Sequence, residues 1–404
     1  MISKVVFYTV YIVILGIIGA VAYFLVSILV RFIPEQFKEL PLVAVFGLVV
    51  FVYILALVVH EGGHVISILR NKISLRAVKI QIFLFIKIDG KWKLRFVFSD
   101  GLDGIAVPDM PLIRNEEDFL KMQKAFAKIL IAGPLATIYG WVFVFVISLV
   151  ILFRSSDPII QSAAFAISSS FSVISLFTFL ILFVKDEHSV NDIPGFQLIK
   201  KDAFFAAYLF YQYIFFSSSP EKLRDESCYL KAKLIEELQI KLSQKDVHMY
   251  TINAIDILLM EYLAGIVKEM PKVVEGYLDF LLNDSEALTK LHKSGDGAYA
   301  CFHIVQFLYM NDSTRHSATE LYDRLKTSLK PITPVIDYFI RQTDHIIGLE
   351  DHSEFLKNRK NMRTSQIHSF TKHFDGCFVD EIRIIENITN KISTRINAPN
   401  YRDE

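Results

Sequence analysis

The feature that most constrains this chain is an apolar run over Leu42–Arg70, which contains His60-Glu61-Gly62-Gly63-His64 near its end. Residues 42–59 carry no charge, and a helix needs about 20 apolar residues to cross a bilayer. Imidazoles and a carboxylate are costly at membrane depth, so polar groups in such a position are by default functional. The run therefore predicts a membrane span with a polar site at one end.

The spacing inside this motif is typical of a metal site. On a helix, His60 and His64 lie one turn apart on the same face, so both can bind one metal ion. Glu61 lies beside them as a candidate general base that takes a proton from a water molecule at the metal. The alternative is a pair of histidines at the membrane interface, with Glu61 as a solvated cap.

The composition divides the chain into an apolar first half and a charged second half. The 404 residues are 52% hydrophobic and have a formal net charge of zero, and nearly all the long uncharged runs lie before residue 185. Zero net charge argues against a nucleic-acid partner, because binding to a nucleic-acid backbone normally needs a strongly basic face. The cysteines are widely spaced and are expected as free thiols in a reducing compartment: Cys228, Cys301 and Cys377.

Four apolar runs are predicted to span the membrane, at about 5–30, 42–69, 129–153 and 159–184. For the first run, the alternative is a signal peptide with a cleavage site at Ala20-Val21-Ala22. Most lysines and arginines of the first half lie between residues 70 and 128, so the positive-inside tendency places that loop and both termini in the cytoplasm. His60, Gly133 and Asp192 then lie near the cytoplasmic ends of their spans.

A β-hairpin is predicted over residues 80–98, between the second and third spans. Two β-prone runs flank Asp89-Gly90 there, which is a strong hairpin signal, and the lysines and arginine among them favour a position outside the membrane. An amphipathic helix is expected over 115–128, with Asn115 as its N-cap.

The second half is predicted to be helical. Residues 201–218 contain an apolar run too short to span comfortably, so they are expected to form an interfacial or linking helix. Residues 219–404 alternate charged and apolar residues at helical spacing, which predicts a soluble α-helical domain. The expected fold is therefore mainly α: a polytopic membrane helix bundle with a small β-hairpin insertion and a C-terminal cytoplasmic helical domain.

A third metal ligand is needed, because a catalytic zinc ion normally has three protein ligands and a water. The fourth predicted span ends in Lys185-Asp186-Glu187-His188, and Asn191-Asp192 follows shortly after. A carboxylate of this cluster is the candidate, and at this point Asp186, Glu187 and Asp192 all stay open.

The first half resembles the site-2 protease family of intramembrane zinc metalloproteases. The resemblance covers roughly residues 40–200 and rests on the histidine motif, on Gly133-Pro134-Leu135-Ala136-Thr137 and on Asn191-Asp192. It implies one Zn²⁺ per chain, held by His60, His64 and Asp192, with Glu61 activating water to cut peptide bonds. It also implies substrate handling by four residues: Gly133, Pro134, Thr137 and Asn191.

Two residues depart from the family pattern. Ile193 follows Asp192 where the family usually has glycine, which keeps Asp186 and Glu187 as alternative third ligands, and Thr137 stands where the family often has asparagine. The leading prediction is a zinc-dependent intramembrane endopeptidase that cleaves membrane-associated polypeptides near the cytoplasmic face. The alternative is a catalytically inactive membrane scaffold whose helical C-terminal domain binds a partner protein. A transporter is disfavoured, because the polar residues cluster at one face of the membrane.

Overall fold

The computed structural model describes most of the chain, in the ranges 39–97, 104–183, 191–293, 295–310, 312–329, 333–365 and 373–396. The predicted first span at 5–30 lies outside the described residues. Asp186 and Glu187, the alternative third ligands, also lie outside them.

Three helices of the described residues are long and apolar enough to cross a membrane. They are α1, Leu42–Arg70, α2, Glu116–Arg154, and α3, Pro158–Ile181. Many of their large apolar side chains are exposed, which is compatible with a lipid-facing surface: Phe51, Val58, Phe143, Phe153, Leu176 and Phe177. These helices correspond to the second, third and fourth predicted spans.

Helix α2 is one continuous helix where the sequence predicts a separate amphipathic helix and a span. Its predicted N-cap is confirmed, since the Asn115 side chain accepts a hydrogen bond from the backbone N–H of Asp118 at 2.9 Å. Residues 116–132 contain neither glycine nor proline, so nothing breaks the helix where the charges end at Lys128. Pro134, predicted near a helix start, lies inside α2 instead.

Helices α1 and α2 run antiparallel at very short separation. A Cβ atom at Gly63 would overlap Ala132 and Ala136, and a Cβ atom at Gly140 would overlap Val59. Small residues permit such close approach of helix backbones within a membrane. The contact brings the histidine face of α1 directly against α2.

A four-stranded antiparallel sheet follows α1. Its strands are β1, Ser74–Ile80, β2, Phe83–Ile88, β3, Lys91–Phe96, and β4, Gly104–Asp109, in the order β3-β2-β1-β4. The predicted hairpin is confirmed as β2–β3, with Asp89 at φ 50° and Gly90 at φ 75°, as a type I′ turn requires. The sequence analysis predicts neither β1 nor β4.

The sheet runs back along α1. The Gln81 side chain, in the turn between β1 and β2, donates a hydrogen bond to the Tyr53 hydroxyl at 2.6 Å. Tyr53 lies well inside α1, so this turn lies beside the helix and not beyond its end. The position of the hairpin region relative to the membrane stays a prediction.

The remaining described elements are helical. They are α4, Asp192–Lys201, α5, Ala203–Ile214, α6, Pro220–Glu226, α7, Cys228–Ser243, α8, Met249–Leu263, α9, Lys272–Asn283, α10, Ser285–Lys293, α11, Gly295–Tyr309, α12, Arg315–Ser328, α13, Pro334–Ile347, α14, Ser353–Lys357, and α15, Val379–Ile396. Two short 3₁₀ helices, Asp312–Thr314 and Asp375–Phe378, lie between them.

Helix α5 occupies the segment predicted as an interfacial or linking helix. Its large side chains are buried in one hydrophobic cluster with the helices that follow: Phe204, Phe205, Tyr208, Phe210 and Tyr211. Such burial leaves little apolar surface for a membrane interface and favours the linking role.

Candidate metal centre

Three ligand atoms from two distant parts of the chain converge at one point. The Nε2 atom of His60 lies 3.0 Å from Oδ2 of Asp192, and the Nε2 atom of His64 lies 3.1 Å from the same oxygen. The two Nε2 atoms are 3.3 Å apart. Among the described residues, this is the one group of three histidine, cysteine, aspartate or glutamate side chains whose ligand atoms lie close enough together to hold a metal ion.

The helices explain this convergence. His60 and His64 are one turn apart on α1, and both are buried against α2, with 6% and 7% of their surface exposed. Asp192 is the first residue of α4, a helix that packs against α2. Along the axis of α1, the two imidazoles lie about 9 to 15 Å before Arg70, the residue that ends the helix.

The outer nitrogens of both rings are held by α2. Nδ1 of His60 lies 2.9 Å from the Thr137 hydroxyl, which donates its own proton to the Gly133 carbonyl at 3.1 Å. Nδ1 of His64 lies 2.7 Å from the Ile129 carbonyl. Since both partners accept at Nδ1, each neutral ring carries its proton there and turns the lone pair of Nε2 toward the centre.

Gly133 makes room for the two rings. A Cβ atom at this position would overlap Nε2 of His64 and lie 2.9 Å from Nε2 of His60. Pro134 follows it and is buried in α2, where it cannot donate the usual backbone hydrogen bond of a helix. Of the residues predicted to handle substrate, Gly133 and Thr137 are thus in contact with the histidines.

The donor set fits a zinc ion. Ligand atoms at about 2.0–2.1 Å from a tetrahedral zinc ion lie roughly 3.3 Å from each other, close to the 3.0–3.3 Å separations of these three atoms. Two imidazoles and one carboxylate also form a common ligand set of catalytic zinc, which leaves the fourth position for water. His60, His64 and Asp192 would hold the ion.

Glu61 faces strand β4. Its side chain is 4% exposed, and a Cβ atom at Gly104, the first residue of β4, would overlap the Glu61 carboxylate. A glycine is therefore required where this strand passes the carboxylate. The sequence analysis does not single out Gly104, because its partner is distant in sequence and the strand itself was not predicted.

Two further residues, Asn191 and Tyr213, lie near the candidate metal centre. The Asn191 side chain donates a hydrogen bond to the Ile181 carbonyl at 2.9 Å, which ties the start of α4 to the end of α3. Tyr213 of α5 lies close enough to Asp192 and Glu61 for their charges to affect its hydroxyl. Burial and then these two negative charges raise the pKa of Tyr213 to about 12. Its hydroxyl therefore keeps its proton at neutral pH. The sequence analysis missed Tyr213, which is one of many aromatic residues in that helix.

Comparison of the chain with protein-family models, with curated proteins and with solved structures finds no match.

Proposed function

We propose that this protein is a zinc-dependent endopeptidase embedded in the membrane, and that it cleaves membrane-associated polypeptides near the cytoplasmic ends of its spans. The observation that carries the proposal is the approach of three electron-rich atoms, two imidazole nitrogens and one carboxylate oxygen, inside an apolar helix bundle. Such a cluster is costly in that environment unless a cation lies among them. The resemblance of its motifs to site-2 proteases supports the same activity.

Glu61 is proposed as the general base. His60, His64 and Asp192 would hold the zinc ion, which would supply Lewis acidity to activate a water molecule and polarise the scissile carbonyl. Glu61 follows His60 directly in α1, so its carboxylate is placed to take the proton from the attacking water. It then passes the proton to the nitrogen of the leaving amine, which completes hydrolysis of the peptide bond.

Strand β4 is proposed to align the substrate. It is an edge strand of the described sheet, and its first residue lies against Glu61. An extended polypeptide that pairs with such an edge presents its backbone carbonyls in regular order along the strand.

The test measures zinc content and hydrolysis in purified full-length protein. We expect about one zinc ion per wild-type chain, and loss of zinc in the His64→Ala and Asp192→Ala variants. Glu61→Gln should keep its zinc but cleave a pool of synthetic single-span peptides about 10²–10⁴-fold more slowly, with new termini read by mass spectrometry.

His316→Ala is the matched control, because the His316 side chain is exposed and lies on α12. This variant should equal the wild type in zinc and in cleavage. A folded wild-type protein that binds no zinc, or a Glu61→Gln variant that cleaves at the wild-type rate, would contradict the proposal. The first result would favour the inactive scaffold.

A further inference from the structure

A groove runs between α1 and α2, and none of the three candidate metal ligands lines it. It has a volume of about 800 Å³. Its walls are formed mainly by apolar and small side chains of the two helices, including the exposed residues Ile66, Leu135 and Tyr139. Gly62 opens it further, since a Cβ atom there would meet no atom within 4 Å.

One end of this groove is positively charged. Arg70 and Lys128 both line it, together with the polar side chains of Ser67 and Asn71. Both cations are exposed, and neither has a hydrogen-bond or ion-pair partner among the described residues. Because α1 and α2 are antiparallel, the two charges lie at the same end of the helix pair.

The positive charge continues along α2. Lys121, Lys124 and Lys128 are exposed and recur at helical spacing, so they lie on the same face as the groove residues Leu135 and Tyr139. One face of α2 thus changes from cationic to apolar at Lys128. A ligand that matches it must combine a negative head with an apolar chain.

We propose that this groove is a binding site for one anionic phospholipid. The phosphate binds between Arg70 and Lys128, and one acyl chain lies along the apolar walls between α1 and α2. Basic pockets between membrane helices are suited to anionic headgroups, since each nearby cation adds to the attraction. The site depends on neither zinc nor proteolysis, since neither His60, His64 nor Asp192 lines the groove.

The experiment uses the full-length protein in vesicles of equal parts phosphatidylcholine and phosphatidylglycerol with identical acyl chains. After extraction in a non-denaturing detergent, native mass spectrometry counts the lipids that each chain retains. We expect one retained phosphatidylglycerol and no retained phosphatidylcholine. Each cation contributes about fivefold to the affinity, so Arg70→Gln with Lys128→Gln should retain phosphatidylglycerol about 25-fold less tightly.

Three controls separate charge, shape and the source of the phosphate. Lys268→Gln with Lys290→Gln removes two exposed lysines of the helical part and should retain the lipid as the wild type does. Ile66→Trp narrows the groove without changing the charge and should weaken retention. Free glycerol phosphate in excess should not displace the lipid, because it lacks the acyl chain.

The charge-conserving pair Arg70→Lys with Lys128→Arg guards against a folding defect and should retain phosphatidylglycerol. Equal retention of the two phospholipids by the wild type would overturn the proposal, and this comparison needs no variant. Unchanged retention in the Arg70→Gln, Lys128→Gln protein, or full displacement by glycerol phosphate, would also overturn it.

Discussion

Thr137 acts on His60 at the scale of a single hydrogen bond. Its hydroxyl accepts a hydrogen bond from Nδ1 of His60 and donates one to the Gly133 carbonyl. These two bonds fix the orientation of the Thr137 hydroxyl and of the His60 ring. Removing such an outer partner typically costs 10–100-fold in metal affinity. We therefore expect Thr137→Val to bind zinc at least about tenfold more weakly in a competition titration with a chelator. Thr137→Ser keeps the hydroxyl and should bind zinc nearly as the wild type does, and equal affinity of the Val variant would contradict the positioning role.

Gly133 supports the same candidate metal centre sterically, because it leaves room for the two histidine rings. A Cβ atom there would overlap Nε2 of His64, and α2 cannot move far from α1 because it also packs against α3 and α4. We expect Gly133→Ala to lose stoichiometric zinc while the helices stay folded, measured by metal analysis and circular dichroism. Gly47→Ala on α1 is the matched control, since its Cβ would meet no atom within 4 Å. Full zinc content in Gly133→Ala would show that the ring positions are wrong.

The three side chains that converge at the candidate metal centre can be predicted from the sequence, whereas the residues that support them cannot. His60, Glu61 and His64 form a local pattern on one helix, so their spacing alone indicates a metal site. Asp192 follows from the need for a third ligand and from the resemblance. Thr137 and Gly104 act through contacts between residues that are far apart in the chain, and neither carries a pattern that would reveal its partner.

Among the elements, the β2–β3 turn offers a direct test of backbone strain. Gly90 has φ 75°, a conformation that costs alanine and most other L-residues about 1–2 kcal/mol. We expect Gly90→Ala to lower the stability of the full-length protein by about 1 kcal/mol in thermal or denaturant unfolding. Gly276→Ala in helix α9 should have the opposite sign, because its Cβ meets no atom within 4 Å and alanine favours a helix. Equal effects of the two substitutions would contradict the turn assignment.

The elements differ in how far the sequence predicts them. The spans and the hairpin have strong local signals, uncharged runs and an Asp-Gly pair, and the corresponding described helices and strands are present. Strands β1 and β4 have weaker signals: β1 pairs with β2 through a short turn, and β4 pairs with β1 across 23 intervening residues, between Ile80 and Gly104. The sequence predicts a boundary between 115–128 and 129–153 because the residues change from charged to apolar there. This change of surface does not interrupt backbone hydrogen bonding, so α2 is one helix.

At the scale of the whole molecule, the sheet connects the apolar helices to the helical second half. Arg76 of β1 donates a hydrogen bond to the Phe216 carbonyl at 3.1 Å, and Asp109 of β4 accepts one from the Ser218 backbone at 2.8 Å. These bonds hold the segment after α5 against the same sheet whose edge passes Glu61. The second half is therefore coupled to the position of β4, a contact that composition alone could not reveal.

A buried charge cluster lies within that second half. His303 of α11 is fully buried, with Nδ1 2.6 Å from Asp256 of α8 and Nε2 3.7 Å from Glu381 of α15. Replacing one member of such a cluster leaves the others as buried charges without compensation, which costs about 3–5 kcal/mol. We expect His303→Gln to lower the unfolding free energy of the full-length protein by about that amount. His316→Gln, at an exposed histidine, is the control and should change it little.

The pH dependence of the unfolding free energy shows whether His303 is protonated, and so positively charged, in the folded protein. Burial lowers the pKa of His303, but the charge and hydrogen bond of Asp256, and then Glu381, raise it to about 10, against 6.5 for an ordinary histidine. Since the folded state holds the proton more tightly, this stabilisation is complete below about pH 6.5 and is lost as the pH rises toward 10. The wild type should therefore lose stability relative to His303→Gln over that range, by at most about 1.4 kcal/mol for each pH unit. Parallel stability profiles from pH 6.5 to 10 would mean that His303 is neutral when folded, and that Asp256 and Glu381 are held by hydrogen bonds alone.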